Sequence, residues 1–308
     1  MVPGVAGSNP VYRPNFTFYH HEMKAARLYI IGASFLVLMA LVSHAKPTKF
    51  KHAIDLSYGA NESQKLDVVF PEASTPAPVV VFFHGGSWRW GVKDFYRDIG
   101  EEFAKEGVVF VLADYRLYPE VRFPSFVEDA AAAVKWTRDN VALYHGDPER
   151  IFLMGHSSGA HMVSHLAMNE RYLAEQGGDF SWIKGAIGLS GPYTFQPSTK
   201  WFYSDIFHPH SDSSKVVPIS LVDGDEPPFL VLHGRHDWLV DVKQAEAFAQ
   251  QIKSKGGKVS MRIYNFHGHF SMMRRFTSWY VWPQGILREV LAFMETNSME
   301  KPKSSSRF

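Results

Sequence analysis

The most constraining feature of this chain is an apolar run that leads directly into a serine between two glycines. Ile151 to Met154 is typical of a buried strand, Gly-His-Ser-Ser-Gly follows at 155–159, and residues 160–168 are compatible with a helix. Strand, sharp turn and helix are the context that the G-x-S-x-G pattern requires. The glycines on either side of Ser157 let strand and helix pass closely, so the pattern predicts a strained turn with an exposed serine.

Composition narrows the classes of protein to which the chain can belong. Of its 308 residues, 45% are hydrophobic, which is enough for a large buried core. A net charge of +1 gives no electrostatic case for binding nucleic acid or for a polybasic contact with a membrane. The chain has no cysteine, which excludes disulfides, thiolate metal sites and a cysteine nucleophile.

Residues 28–42 form an almost unbroken apolar run that follows Lys24 and Arg27. This length suits the apolar region of a signal peptide and is short for a membrane span. The small-x-small pattern at 43–45 suits cleavage before Lys46. We therefore expect residues 23–45 to be a signal peptide and the mature protein to be exported, either to the periplasm or as a secreted protein.

The proportions of this segment are those of a signal peptide counted from Met23, so we interpret residues 1–22 as an over-extended gene model. The alternative is an uncleaved anchor, in which membrane contact runs only through residues 28–42. N-terminal sequencing of the mature protein distinguishes the two, because a protein that begins at Met1 in the soluble cytoplasm contradicts export.

Downstream of residue 46, predicted strands and helices alternate without a repeat, which indicates an α/β domain over 46–298. We expect a mostly parallel central sheet with helices on both faces. Alternating polar and apolar residues over 50–58 and 64–70 predict an antiparallel hairpin. Residues 191–228 interrupt the alternation and predict a short cap, and residues 299–308 are typical of a disordered tail. The predicted strands are 79–83, 108–113, 151–154, 183–189, 229–232 and 259–264, and the predicted helices are 95–105, 126–141, 160–168, 241–253 and 285–295.

A serine nucleophile needs a base and an acid that orients the base. In hydrolases with this kind of sheet, the acid and then the histidine follow the serine on loops after later strands. Asp237 lies a short loop beyond a predicted strand, whereas Asp241 lies where the next helix begins and is predicted to be its N-cap. After the following strand we favour His269 over His267 as the base, because the Gly-His-Phe arrangement fits the usual loop. His233 and His236 are interpreted as hydrogen-bonding residues of the acid loop.

Consecutive glycines follow the first buried strand, in His84-Gly-Gly-Ser-Trp88. Such a turn can direct its N–H groups toward a substrate carbonyl. We expect the oxyanion donors to be the amides of Gly86, Ser87 and Ser158. The alternative is a plain Gly-Gly turn without a role in catalysis. It is disfavoured because the serine turn, the acid and the base all follow in the expected chain order.

Together these motifs resemble the α/β-hydrolase esterases over about residues 52–296. They are most similar to the acetyl esterase/lipase and feruloyl-esterase-like group, which is related to hormone-sensitive-lipase-type carboxylesterases and arylformamidases. The resemblance implies an α/β-hydrolase fold with a short cap, and it implies that Asp114 and Arg116 fix the oxyanion loop by hydrogen bonds. The motifs that carry it are His84-Gly85-Gly86-Ser87-Trp88, Asp114-Tyr115-Arg116-Leu117-Tyr118-Pro119, Gly155-His156-Ser157-Ser158-Gly159, Leu232-His233-Gly234-Arg235-His236-Asp237 and Gly268-His269-Phe270.

The expected activity is hydrolysis of a small-molecule carboxylic ester through an acyl-enzyme, which requires neither a metal nor an organic cofactor. Short acyl groups are expected because the cap is short. Hormone-sensitive-lipase-type enzymes carry His-Gly-Gly-Gly, whereas this chain has His-Gly-Gly-Ser-Trp, which is similar to the His-Gly-Gly-x-Trp form of formamidases and related esterases. An arylformamidase that cleaves N-formyl amides is therefore an alternative. A non-catalytic binding protein of this fold is a further alternative. Six aromatic residues are candidates either for the wall of a substrate pocket or for the core of the cap: Trp88, Trp90, Tyr193, Phe195, Trp201 and Phe202.

Overall fold

A computed structural model describes residues 49–72, 75–195, 197, 201–209, 213–274, 276 and 285–298. These residues belong to one unit that begins at Pro47. The predicted signal or anchor segment, the interpretation of residues 1–22 and the predicted tail at 299–308 all lie outside the described residues. Within the described ranges, no helix combines the length and the apolar character needed to cross a membrane.

Within the described residues, eight strands form one sheet. They are β1 (Phe50–Ser57), β2 (Lys65–Pro71), β3 (Ala77–Phe83), β4 (Val109–Ala113), β5 (Gly146–His156), β6 (Ile183–Leu189), β7 (Phe229–Gly234) and β8 (Val259–Tyr264). Their order in the sheet is β1-β2-β4-β3-β5-β6-β7-β8. The first two pairings are antiparallel, which confirms the predicted hairpin, and the others are parallel. The carboxyl ends of β3, β5, β7 and β8 therefore meet at one edge.

Helices cover both faces of this sheet, as the alternating pattern predicts. They are α1 (Arg97–Lys105), α2 (Ser125–Asn140), α3 (Ser158–Met168), α4 (Arg171–Glu175), α5 (Trp201–Phe207), α6 (Ser213–Val216), α7 (Val242–Ser254), α8 (Ser271–Arg274) and α9 (Gly285–Ser298). Short 3₁₀ turns occupy Lys93–Tyr96, Val141–Tyr144, Phe180–Trp182 and Pro218–Leu221. Helices α2, α3 and α7 pack on one face, and α1 and α9 pack on the other.

The continuous apolar sequence of β3 is explained by burial on both faces. Val79, Val81 and Phe83 contribute to the core beneath α2 and α3, whereas Val80 and Phe82 contribute to the core beneath α1 and α9. Burying each such side chain stabilises the fold by about 1.5 to 3 kcal/mol. The strand that precedes the Gly85-Gly86 turn is therefore firmly held in the core.

Between β6 and β7 the chain carries an aromatic cluster that packs on Trp88. The rings of Phe195, Tyr203 and Phe207 lie 5.8, 5.9 and 5.0 Å from the Trp88 ring. These contacts anchor residues of the predicted cap against the loop that follows β3.

Two buried histidines on α3, the helix that follows Ser157, bind the segment between β6 and β7. Nε2 of His161 lies 2.9 Å from the carbonyl oxygen of Val216, and Nε2 of His165 lies 2.8 Å from the same atom. Because a carbonyl only accepts, both rings donate from Nε2. Burial lowers the pKa of His165 to about 4 and holds the pKa of His161 well below its usual value.

Lowering the pH from 7.5 to 5.5 is expected to reduce the free energy of unfolding by about 1.4 kcal/mol for each of these two histidines. The unfolded chain takes up their protons near pH 6.5, whereas the folded protein keeps both rings neutral to a much lower pH. The unfolded state therefore binds more protons, and stability is lost as pH falls from about 6.5 toward the folded pKa values. Urea unfolding at both pH values measures the difference.

The control is His165→Gln, which keeps an N–H donor for Val216 and removes one titrating group. Its loss of stability between the two pH values should be smaller than that of the wild type by about 1.4 kcal/mol. Equal losses in both proteins would contradict the assignment of His165 as a buried neutral ring.

Candidate active site

Ser157 occupies a strained turn between β5 and α3. Its φ of 55° and ψ of −119° lie outside the usual regions for a residue with a side chain. A Cβ on Gly155 would lie 2.3 Å from the oxygen of Gly159, and one on Gly159 would lie 2.1 Å from the oxygen of Phe83. Glycine at both positions therefore allows the close passage of strand and helix that exposes the serine.

Three side chains from the loops after β5, β7 and β8 form a hydrogen-bonded line. Nε2 of His269 lies 2.9 Å from Oγ of Ser157, and Nδ1 of the same ring lies 2.8 Å from Oδ2 of Asp237. Asp237 and His269 are buried, and Ser157 is half-buried. Because an ionised carboxylate only accepts, the ring proton is assigned to Nδ1, which leaves Nε2 free to accept from the serine hydroxyl.

The carboxylate of Asp237 is held in its charged form. Its Oδ1 accepts hydrogen bonds from the amides of Leu239 and Val240, at 3.1 and 2.9 Å. Burial acts to raise the pKa of Asp237, but the hydrogen bonds from His269 and Val240 outweigh burial, so that the pKa lies below its usual value. The group beside His269 is therefore an anion at neutral pH.

The other histidines of these loops make different contacts. Nε2 of His233 lies 2.9 Å from the oxygen of Val240, and the amide of His236 donates to the oxygen of His267 at 2.9 Å. Nδ1 of His267 lies 3.4 Å from Oγ of Ser271, the first residue of α8. The structure thus brings His269 to the serine. Of the other three, His233 lies against the acid, with Nε2 3.4 Å from Oδ2 of Asp237.

Asp241 caps helix α7. Its side chain accepts a hydrogen bond from the amide of Lys243 at 3.0 Å, which confirms the predicted N-cap.

The loop after β3 turns through three consecutive residues with positive φ: Gly86 at 136°, Ser87 at 55° and Trp88 at 57°. A Cβ on Gly86 would lie 1.8 Å from the oxygen of Trp90, so only glycine fits. Within the described part of the chain, the amides of Gly86, Ser87 and Ser158 donate to no protein group. Ser158 is also the first residue of α3, where the helix dipole favours negative charge. These three amides are available to a substrate oxygen.

Asp114 accepts a hydrogen bond at Lys93, where this loop ends, whereas the hydrogen bonds of the Arg116 side chain go to Asp129. Asp114 Oδ1 lies 3.3 Å from Nε2 of His84 and accepts the amide of Lys93 at 2.6 Å. Arg116 instead pairs with Asp129 on α2, with Nη2 to Oδ1 at 2.6 Å. The guanidinium therefore connects helix α2 to the segment that follows β4. The prediction that Arg116 fixes the loop after β3 is wrong.

A cavity of about 60 Å³ lies beside Ser157, and its lining includes Trp88, Pro192, Phe195, Leu239 and Gln244. Of the aromatic residues considered for a pocket, Trp88 and Phe195 line this cavity. Tyr193 belongs to the core, where its ring stacks 4.2 Å from Phe248. Trp90 is exposed, and the side chains of Trp201 and Phe202 lie outside the described residues.

Gln244 was not predicted from the sequence, because a polar residue inside an amphipathic helix is typical of a solvent-facing position. In the structure its Oε1 accepts the amide of Thr194 at 3.0 Å, and the side chain lines the cavity. Among the described residues, no group of three His, Asp or Glu side chains is arranged to hold a metal ion.

Known proteins resemble this chain over most of its described length. The probable isoprenylcysteine alpha-carbonyl methylesterase ICME of Oryza sativa subsp. japonica is 30% identical over 237 residues, which cover 69% of this chain and 56% of that protein. Esterase LipC of Mycobacterium tuberculosis is 30% identical over 230 residues, which cover 67% and 56%. The chain thus spans about half the length of the curated relatives it matches.

The solved structure of esterase B from Lactobacillus rhamnosis has a TM-score of 0.71 at 19% identity, with 89% of this chain and 97% of that chain covered. This likeness confirms the α/β-hydrolase fold. Residues 66–252, well over half of the sequence, match the BD-FAE family model. The chain therefore belongs to the BD-FAE family, whose domain is that of an α/β-hydrolase-type esterase.

Proposed function

We propose that this protein is a serine esterase that cleaves small carboxylic esters through an acyl-enzyme, with Ser157, His269 and Asp237 as its triad. The observation that carries the proposal is the hydrogen-bonded line of these three side chains. A nucleophile, a base and an orienting anion in contact are the arrangement that acyl transfer requires. The names of the rice and mycobacterial relatives, both esterases, support the same reaction.

In the first half of the reaction, Oγ of Ser157 attacks the ester carbonyl carbon while Nε2 of His269 takes its proton. The negative oxygen that forms is bound by the amides of Gly86, Ser87 and Ser158. Each such donor stabilises the transition state by about 3 kcal/mol. Collapse of the intermediate breaks the bond to the alcohol, which leaves with the proton from His269.

In the second half, water attacks the acyl-enzyme and His269 takes a proton from it. The carboxylic acid then leaves, and the proton on His269 returns to the serine. Asp237 stabilises the imidazolium in both halves, because its carboxylate is anionic and lies against Nδ1.

The size of the cavity supports a small group on one side of the ester. Sites for drug-sized ligands have volumes of about 300 to 1,000 Å³, so a cavity of about 60 Å³ beside Ser157 suits an acetyl or propionyl group better than a long chain. On this basis the acyl group is short and the alcohol extends outward.

A second candidate reverses the two halves of the ester, with a methyl group in the cavity and a large apolar acyl group outside. Two observations favour it: the rice relative is named a methylesterase, and large apolar side chains are exposed beside the site. Phe270, next to the base, is 61% exposed, and Trp238, next to the acid, is 77% exposed. The ring of Phe270 lies 5.2 Å from the ring of His269, so an apolar group that leaves the site on that side would contact it.

Two substrate series test the proposal. We expect kcat/KM for p-nitrophenyl esters to be highest for acetate or propionate and to fall by at least about tenfold at octanoate, because the longer chain exceeds the cavity. Methyl esters of apolar acids form the second series, and faster turnover of those would favour the second candidate. Stoichiometric labelling of Ser157 by an alkyl phosphonate, read by peptide mass, tests the nucleophile itself. A protein that turns over neither series and leaves Ser157 unlabelled would contradict the proposed function.

A further inference from the structure

His156 lies directly before the nucleophile but outside the serine–histidine–aspartate line. It is 2% exposed, and its Nε2 lies 3.1 Å from the carbonyl oxygen of His269. The two imidazole rings are 4.8 Å apart. Since a carbonyl oxygen only accepts, Nε2 of His156 must carry a proton and donate it to the main chain of the base.

The ring of His156 is neutral, and its second nitrogen faces the oxyanion loop. Burial, together with the neighbouring His269, lowers the pKa of His156 to about 3. With the proton on Nε2, Nδ1 is a bare acceptor, and it has no hydrogen-bond partner among the described residues. A Cβ placed on Gly85 would lie 2.9 Å from Nδ1. The imidazole therefore fills the space between the oxyanion loop and the base loop.

Other hydrogen bonds hold the base loop on the N-terminal side of His269. The amide of Gly268 donates to Oγ of Ser271 at 2.9 Å, and the oxygen of His267 accepts the amide of His236 at 2.9 Å. On the other side, the oxygen of Phe270 accepts the amide of Met273 at 3.2 Å, and the ring of Phe270 is largely exposed. The hydrogen bond from His156 is thus placed where it fixes the peptide that carries the base itself.

We propose that His156 is a positioning residue that fixes the main chain of His269, so that Nε2 of the base stays within reach of Ser157. The inference rests on the proposed function. The ring of His269 is held at Nδ1 by Asp237, and a shift of its backbone would rotate Nε2 away from the serine hydroxyl. A misplacement of about 1 Å in such a constellation lowers the rate by about 10²-fold.

Three substitutions at this position separate donation from packing. The side-chain nitrogen in His156→Gln lies as many bonds from the backbone as Nε2 of histidine, so it can still donate to the carbonyl of His269. The nitrogen in His156→Asn lies one bond nearer and reaches only the place of Nδ1. His156→Leu keeps bulk and donates nothing.

With p-nitrophenyl acetate, we expect kcat to fall about tenfold to a hundredfold in His156→Asn and His156→Leu, with KM within about twofold of the wild type. His156→Gln should recover most of kcat. The control is His165→Gln, because His165 is an equally buried histidine and donates to the carbonyl of Val216 instead of to His269. It should keep the wild-type kcat.

Wild-type kcat in His156→Leu, or equal losses in His156→Gln and His156→Asn, would overturn the inference. The Gln and Asn variants decide the matter if the Leu variant does not fold, because both carry a carboxamide and differ by one methylene. Ser157→Ala distinguishes this failure from failure of the proposed function. An inactive Ser157→Ala beside fully active His156 variants removes only the role of His156, whereas an active Ser157→Ala removes the triad.

Discussion

Replacing Ser157 with alanine is expected to lower kcat for p-nitrophenyl acetate by about 10⁵- to 10⁶-fold. Oγ is the atom that lies 2.9 Å from Nε2 of His269, and alanine leaves the base without a hydroxyl to activate. The hydroxyl of the neighbouring Ser158 does not replace that of Ser157 as the nucleophile. Ser158 is buried and is the first residue of helix α3. Residual activity over water would come from the oxyanion amides and from substrate binding.

The matched control is Ser164→Ala, a buried serine on the same helix whose Oγ donates to the carbonyl of Ala160 at 2.8 Å. It should keep kcat within about twofold and lose about 1 kcal/mol of stability. Alanine at position 157 keeps a Cβ in the same strained turn, so we expect both variants to fold, which thermal unfolding checks. A Ser157→Ala protein within tenfold of wild-type kcat would contradict the assigned nucleophile.

The order of elements could be predicted from the sequence because the patterns are local and strong. The run from Val79 to Phe83 is buried on both faces, and alternation over the first two strands marks a hairpin. In a parallel sheet, residues that follow successive strands share one edge. For that reason, chain order alone could predict that the loops carrying Ser157, Asp237 and His269 lie close together.

The contacts that depend on approach in space could not be predicted. Arg116 pairs with Asp129, which lies 13 residues away on another element, and no local pattern connects them. For Tyr193 the sequence left both a pocket and a core position open, and only the fold shows that its ring stacks on Phe248 in the core. His156 occurs inside the motif, yet its partner is the carbonyl of a residue 113 positions later. Such contacts are set by which loop folds over which strand end.

Replacing Asp237 with asparagine is expected to lower kcat by about 10⁴-fold, although the shape of the side chain is kept. Oδ1 accepts the amides of Leu239 and Val240, so the carboxamide oxygen must stay on that side and the NH₂ must face His269. An NH₂ group donates to Nδ1 only if Nδ1 carries no proton. The ring proton then moves to Nε2, which faces Ser157 and can no longer accept the hydroxyl proton.

The neighbouring Asp241→Asn is the control for this experiment. Asp241 caps helix α7 through the amide of Lys243, and asparagine caps as well as aspartate, so kcat and stability should both stay near the wild type. Steady-state kinetics with p-nitrophenyl acetate and urea unfolding on both variants separate loss of the base from loss of the fold. If kcat of Asp237→Asn remains within about tenfold of the wild type, the ring nitrogen of His269 that carries the proton is not determined by this carboxylate. The acid would then have to be sought outside the hydrogen-bonded line.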